Sequence, residues 1–444
     1  MMNHPLPKAF ADRMRAQLGS EADAYFAALD ENYQRGIRMN PRKPFDPALA
    51  EGVLESVPWN SRHGHYLTMD SAAGLDPLHE AGAYYIQEPS AMAPVALLSP
   101  QPGERVLDLC AAPGGKTTQI ADALGGEGLI VCNEPVSSRA KILSRNVERM
   151  GVSNALVVSA EPEKLAPVWP EAFDAVLVDA PCSGEGMFRR HPETRDEWNE
   201  SSPEGCAVRQ KRILACAVQM LRPGGRLAYS TCTLNHEENE NVVAWLLNEF
   251  PELECVPFSM PVNDSVLDAP DGMAHLYPHR LRGEGHFAAL LRKKGDAASD
   301  LFAPASTRLS APQKPLLAAY EAFVRPFPGL PRANAQLGDA LLSAPDLPPL
   351  KGIKVLRAGV QLGILKGKVF APDHALAMAL PLDNAIPTVS LSREDALLYQ
   401  SGETLPCSDE VAGYVLPAYA GLPLGFAKAS GGQLKNHYPK GLRR

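Results

Sequence analysis

Two cysteines stand in contexts where a thiol can do chemistry: Asp179-Ala180-Pro181-Cys182-Ser183-Gly184 and Tyr229-Ser230-Thr231-Cys232-Thr233. Each follows an apolar run of strand type. A parallel sheet would therefore bring both thiols to one edge, outside the carboxyl ends of its strands, where open α/β sheets bind their ligands. One thiolate can attack an electron-poor ring carbon. A second beside it fits a reaction whose covalent adduct must be both made and undone. A cysteine in a strand is ordinarily a small buried hydrophobe, and the thiols of Cys110, Cys132, Cys206, Cys216, Cys255 and Cys407 are read that way.

The elements that must position these groups follow from an alternation. From Arg105 to about Lys294 the chain reads RVLDLC, a Gly-rich turn and the helix KTTQIADAL; GLIVCNE and the helix SSRAKILSRNVERM; ALVVSA; DAVLVDAP; the helix AVRQKRILACAVQML, ended by Pro223-Gly224-Gly225; RLAYSTCT; a helix from His236 to Phe250; and a last strand HFAALLR. Apolar runs between amphipathic helices predict βαβ units and a mostly parallel sheet covered on both faces. The expected fold class is α/β, a Rossmann-like doubly wound domain over residues 101–295. Residues 1–100 mix helical periodicity (Phe10 to Leu29, Pro47 to Ser56) with an aromatic and histidine-rich stretch from Trp59 to Tyr66, and read as a small α+β cap domain. Residues 296–350 read as linker and loops, from the composition of Gly295 to Pro315 and the Pro-rich run Pro326 to Pro349. Residues 351–444 carry short strand-like pieces between Gly and Pro, and read as a small β-rich domain.

The turn after the first strand, Leu109-Cys110-Ala111-Ala112-Pro113-Gly114-Gly115-Lys116-Thr117, opens a helix whose backbone N–H groups can approach a ligand closely. Lys116-Thr117 suggests a phosphate-binding loop of an NTPase. That pattern requires a glycine where Cys110 stands, so it fails. The better reading is the nucleoside-binding turn of S-adenosylmethionine enzymes, in which an acid ending the second strand holds the ribose hydroxyls. Glu134 occupies that place. A lone acid there is as often a helix cap, but Glu161 after the third strand and Asp179 after the fourth extend the row. The expected cofactor is S-adenosylmethionine, held by Cys110, Ala111, Ala112, Pro113, Gly114, Gly115, Lys116, Glu134, Glu161 and Asp179.

LDLCAAPGGKTTQIA, VLVDAPCSGEGMFRRHPE and YSTCTLNHEENENVV resemble, in order and spacing, three motifs of the NOL1/NOP2/Sun family of RNA cytosine-5 methyltransferases. RMNPRK (Arg38 to Lys43) and YYIQEPSAM (Tyr84 to Met92) resemble its N-terminal elements. The likeness spans roughly residues 35 to 295. The closing Asn436-His437-Tyr438-Pro439-Lys440-Gly441-Leu442-Arg443 and the β-rich tail resemble the bacterial branch that methylates 16S rRNA and carries a PUA-like C-terminal domain. One departure is Glu161, followed by Pro162, where the family commonly has aspartate. C5 of cytosine is too weak a nucleophile to attack a sulfonium methyl, and a thiolate added at C6 activates it. The resemblance implies that Cys232 is this nucleophile, that Cys182 assists release, and that Asp179 bonds the cytosine edge. Lys116 is expected to favour the thiolate as a nearby cation. The target base would have to leave its stack. The implied activity is S-adenosylmethionine-dependent methylation of cytosine C5 in RNA, with 16S rRNA or the small ribosomal subunit as partner. A tRNA methyltransferase and a non-catalytic RNA-binding assembly factor are the alternatives.

Composition bounds the rest. In 444 residues, 45% hydrophobic and 21% charged, there is enough chain for a large core. No apolar run approaches the roughly 18 residues of a membrane span, and the first twenty residues lack the apolar region of a signal peptide. A cytoplasmic, membrane-free protein is expected. The 8 cysteines form no disulfide framework and no CxxC or Cys/His pair has zinc spacing, so no metal is expected; a monomer is expected too. The net charge of −8 argues against a polyanion partner only on average. Locally, Lys351, Lys354, Arg357, Lys366 and Lys368 form one basic segment, and Lys428, Lys435, Lys440, Arg443 and Arg444 another. Both are expected to contact RNA. Arg189, Arg190, His191 and Arg195 are expected along an RNA backbone, and Trp59, His63, His65 and Tyr66 either stack on unpaired bases or form a domain-edge cluster. Glu237, Glu238 and Glu240 read as the acidic first turn of a helix.

Overall fold

Strands that are apolar on both faces have to be covered on both, and the centre of the molecule is such a sheet. The computed structural model describes residues 4–263, 265–296 and 309–443. The central sheet has nine strands: β1 Arg105–Asp108, β2 Leu129–Asn133, β3 Ala155–Ser159, β4 Phe173–Asp179, β5 Leu221–Thr231, β6 Leu253–Cys255, β7 Met273–Leu276, β8 His286–Lys293 and β9 Lys354–Ala358. Their order is β6-β8-β5-β4-β1-β2-β3-β9, with β7 also on β8. The pairs β3/β2, β2/β1, β1/β4 and β4/β5 are parallel. The winding reverses between β1 and β4, so the crevice at their carboxyl ends is the topological switch point.

The period of two decides which face each side chain joins. Leu107, Val131, Leu156, Val176 and Val178 pack in one core with the helices Ser202–Met220 and Glu240–Glu249. Their neighbours Val106, Ile130, Ala155, Val157, Ala175 and Leu177 pack in the other with Gly115–Leu124 and Ser137–Arg149.

Outside this domain several expectations change. The helical stretch Phe10 to Leu29 is two helices, Lys8–Leu18 and Ala22–Asp30, broken where Gly19 takes φ 55°. Pro47 to Ser56 is not an α-helix. A short turn, Pro47–Leu49, precedes the strand Val53–Ser56, which pairs with Gly64–Leu67. That four-stranded sheet also holds Arg35–Met39 and Tyr84–Ile86. The helix before β5 ends at Met220, ahead of Pro223. Of the expected linker, residues 297–308 lie outside the described residues. The remainder is not merely loop. Lys314–Val324 is a helix, and Ala335–Leu337 and Ala340–Ser343 are strands of a four-stranded sheet completed by Val360–Lys366 and Val369–Pro372. β9 was expected to begin the β-rich tail. Instead it pairs antiparallel with β3 and closes an edge of the central sheet.

The RMNPRK segment fastens the N-terminal unit to the Gly-rich turn. Arg38, 1% exposed, donates to Gln87 Oε1 (3.0 Å), to the carbonyl of Gly115 (3.2 Å), to Thr118 Oγ1 and to Asp122. Buried Lys43 donates to the carbonyls of Ala81 and Arg149 at 2.7 and 3.1 Å. The chain's two ends then share one core: Ile37, Leu67, Leu78 and Tyr84 pack with Tyr399, Leu405, Val415, Leu434 and Tyr438.

Candidate active site

β4 and β5 are parallel neighbours, with Asp179 opposite Ser230 in register. Residues three and two places beyond these partners therefore leave the sheet side by side, and Cys182 Sγ lies 3.2 Å from Cys232 Sγ. The contact with Cys232, with burial added, pushes the Cys182 thiol well above its usual range. Cys182 thus keeps its proton beside the other sulfur, and either thiol can donate across the contact. The carbonyl of Cys232 in turn accepts from the Gly186 N–H at 2.9 Å, which ties the two loops together.

Asp179 is held by three groups. Lys116 Nζ donates to Oδ2 at 2.8 Å, Ser230 Oγ donates to Oδ1 at 2.7 Å, and His286 Nε2 lies 3.7 Å from Oδ1. Burial opposes its ionisation, but Lys116 and His286 outweigh that and hold the carboxyl well below the usual range. Lys116, expected to serve a thiol, is therefore the partner of this carboxylate. Asp108 behaves in the opposite way. Burial lifts it to about 7 despite a 2.6 Å bond from Thr117 Oγ1, and its other oxygen has no hydrogen-bond partner.

Two cavities meet at this point. The larger, of about 500 Å³, is bordered by Cys110, Ala112, Glu134, Glu161, Asp179, Cys182 and Cys232. The smaller, of about 320 Å³, is bordered by Tyr85, Gln87, Asp108, Lys116, Asp179, Met187, Cys232 and His286. Asp179 and Cys232 border both, whereas Cys182 borders only the larger. Ala111, Pro113 and Gly115 of the Gly-rich turn face the smaller cavity. The turn itself is anchored from behind. Ala111 N–H donates to the Asn133 carbonyl (2.9 Å), Asn146 donates to the Pro113 carbonyl (2.8 Å), and Gly114 takes φ 115°, which L side chains avoid. Glu134 is 3% exposed; its Oε1 accepts from the Val136 N–H at 2.9 Å and its Oε2 faces Arg139 at 3.1 Å. Both cavities are of ligand size.

The chain matches four family descriptions in succession. These are the N-terminal domain of 16S rRNA methyltransferase RsmF (residues 6–89), 16S rRNA methyltransferase RsmB/F (95–292), the RsmF first C-terminal domain (327–380) and the RsmF PUA domain (386–444). Ribosomal RNA small subunit methyltransferase F of Klebsiella pneumoniae (strain 342) is 36% identical over 99% of this chain and 96% of its own. The chain belongs to the RsmF family. The Enterobacter sp. (strain 638) member is 35% identical over the same shares. Among solved structures, a methyltransferase homolog protein from Pyrococcus horikoshii is 32% identical with TM-score 0.56, covering 65% of this chain and 96% of that one. NSun6 from the same organism shares the fold at 22% identity and TM-score 0.57, covering 65% and 99%. The α/β class, the Rossmann-like domain and the PUA C-terminus are thus features of this RsmF family chain. No described helix is long and apolar enough to cross a membrane.

Other expected contacts fall elsewhere. Arg189 is buried in a bidentate pair with Glu284 and donates to the carbonyls of Ala28 and Gly283, so it holds the fold and cannot grip RNA. Arg195 donates to the carbonyls of Phe188 and His4, whereas Arg190 sits over the Tyr33 ring and His191 is exposed. Trp59 is buried, its indole N–H donating to the Pro89 carbonyl at 2.7 Å; Tyr66 is buried with the Arg282 guanidinium 4.0 Å from its ring. They form the domain-edge cluster, with half-buried His63 and His65 beside them. Of the basic segments, Lys354 and Arg357 are engaged with Ser137 and Glu148, and Arg444 lies outside the described residues; Lys366, Lys368, Lys428, Lys435, Lys440 and Arg443 are exposed.

Of the acids after Cys232, Glu240 does stand in the first turn of its helix, whereas Glu237 and Glu238 do not. The helix begins at Glu240, and Glu238 precedes it, fully buried. Its carboxylate accepts from the Ser183 N–H (3.0 Å), Ser183 Oγ, Asn235 (2.7 Å) and Gln210 (2.8 Å), although burial raises its pKa. Glu238 therefore fixes the loop that carries Cys182. Sequence signals for it existed only as the run Asn235 to Glu240, and His286 carried none beyond its place at a strand start.

Proposed function

We propose that this protein methylates C5 of cytosine in 16S rRNA with S-adenosylmethionine, through a covalent bond from Cys232 to C6. The observation that carries the reading is the pair of thiols 3.2 Å apart at the junction of two cavities. The larger cavity suits the nucleoside end of the cofactor. Glu134 offers carboxylate oxygens to the ribose hydroxyls, Glu161 lies further along, and Cys110 and Ala112 of the Gly-rich turn border the same space. When bound there, S-adenosylmethionine supplies an electrophilic methyl group. The smaller cavity suits an unstacked pyrimidine.

Within it, ionised Asp179 accepts a hydrogen bond from the exocyclic amine and orients the ring. Cys232, which borders both spaces, adds to C6 as a thiolate and leaves C5 enamine-like. The Cys182 proton directed at its sulfur stabilises that thiolate before attack. After methylation a solvent base takes the C5 proton, the C5–H electron pair re-forms the C5–C6 double bond, and the C6–S bond breaks with its pair leaving on Cys232. The Cys182 thiol, in contact with that sulfur, assists the departure by stabilising the thiolate that is released. The test is bisulfite sequencing of 16S rRNA and tRNA from a strain lacking the gene. One or more 16S cytosines should lose protection there and regain it with the intact gene. Loss confined to tRNA would move the substrate, and no loss at all would leave an RNA-binding protein without this activity.

A further inference from the structure

The segment after Cys232 carries a second cluster, outside both cavities. His236 leads into the helix Glu240–Glu249, Glu240 opens it, and His275 comes from β7, the outer strand that pairs with β8. One ligating atom from each residue lies within 4.8 Å of the other two. Glu240 Oε1 is 2.6 Å from His275 Nε2, and Oε2 is 2.8 Å from His236 Nδ1. Glu240 Oε2 is buried, at ion-pair distance from the His236 ring. Two imidazoles and a carboxylate whose ligand atoms converge in this way suit a cation at their apex, in place of the protons they share.

The surroundings are consistent with a held site. The His275 ring stacks on Tyr277 at 5.1 Å and 9° and leans on Phe287 at 5.1 Å, so it cannot swing away. The His236 side chain, 54% exposed, leaves a path from solvent. Two imidazoles and one carboxylate form a borderline donor set. Calcium and magnesium prefer oxygen throughout, whereas zinc and its first-row neighbours take this mixture, with water in the remaining position. Sequence spacing could not reveal it, because His275 is brought in by sheet pairing from a distant segment.

We propose that His236, Glu240 and His275 bind one zinc-type divalent cation, which fastens the turn between Cys232 and its helix to β7. The cation is structural: none of its ligands borders either cavity. The full-length protein, dialysed against chelator, is titrated with Zn²⁺ by calorimetry and with Co²⁺ by visible absorption. One equivalent should bind, cobalt should show d–d bands without sulfur charge transfer, and saturating Zn²⁺ should raise Tm. His236→Asn, at an exposed position that spares the fold, should weaken binding roughly tenfold or more and remove the Tm rise. The Cys182→Ala/Cys232→Ala variant should keep both. Sulfur charge transfer, or binding lost with the thiols and kept in His236→Asn, assigns the metal to the cysteine pair and overturns the proposal. Failure of the wild-type protein to bind Zn²⁺ also overturns it and leaves an ion-paired triad.

Discussion

The two thiols differ in environment, and the difference is testable one residue at a time. Cys232→Ala should abolish methylation while S-adenosylmethionine affinity stays at the wild-type value; turnover by this variant would move the nucleophile elsewhere. Cys182→Ala should still make the adduct and transfer the methyl group but release RNA slowly. A protein-RNA species that survives denaturing electrophoresis should then accumulate, and the double variant should form none. Normal turnover of Cys182→Ala without a trapped species would reduce Cys182 to packing. Glu134 belongs to the cofactor side. Removing a charge-assisted acceptor costs about 1.5 to 3 kcal/mol, so Glu134→Ala should weaken S-adenosylmethionine roughly tenfold to a hundredfold by calorimetry. The Gly-rich turn, Glu134, Asp179 and both cysteines were legible because each sits next to a strand end that apolar pattern alone locates. Glu238 and His286 were not. Their roles come from partners across loops and sheet edges, which spacing along the chain does not encode, and Arg189 misled because a basic residue in a basic loop gives no sign of the buried Glu284 that claims it.

At the scale of elements, β1 ends in a carboxyl that the fold prefers neutral. Asp108 moves from an ordinary 3.8 to about 7 on burial. The folded state therefore holds a proton that the unfolded chain has lost between those values, and stability falls as pH rises through that window. The full effect is on the order of 4 kcal/mol at 1.36 kcal/mol per pH unit. Asp108→Asn keeps an acceptor for Thr117, and its denaturant midpoint should be flatter between pH 4 and 7; an unchanged profile would show that Asp108 ionises freely. The loop between β5 and its helix has a comparable test. Glu238→Gln turns an acceptor of four donors into a group that must donate, and unsatisfied buried donors cost about 1 to 3 kcal/mol. Methyl-transfer kcat should fall while cofactor affinity holds, because only the cysteine loop is disturbed. Equal losses in both would make the residue a general prop of the fold. Parallel strands were readable from uninterrupted apolar runs bounded by turns. The segment Pro47 to Ser56 was not, since a short edge strand with two exposed positions has no periodicity to separate it from a helix, and β9 shows its allegiance only through pairing with β3.

For the molecule as a whole, the shared core of the N-terminal and PUA units ties their stabilities together. Leu405→Ala, in the C-terminal unit and far from the cavities, should cost about 2 to 5 kcal/mol. Calorimetry should show one transition for both units moving down together; separate transitions would mean that the contact is superficial. The expected domain order along the chain gave no hint of this, because two amphipathic surfaces seeking cover do not announce that they cover each other. The same contact bears on biosynthesis. The face formed by Leu78 and Tyr84 is made early, but the residues that seal it, Leu405 to Tyr438, are synthesised more than 300 residues later. At about 5 to 20 residues per second, the interval is on the order of half a minute. During it an apolar surface waits uncovered on a nascent chain, open to chaperones and to mispairing with its neighbours on the same message.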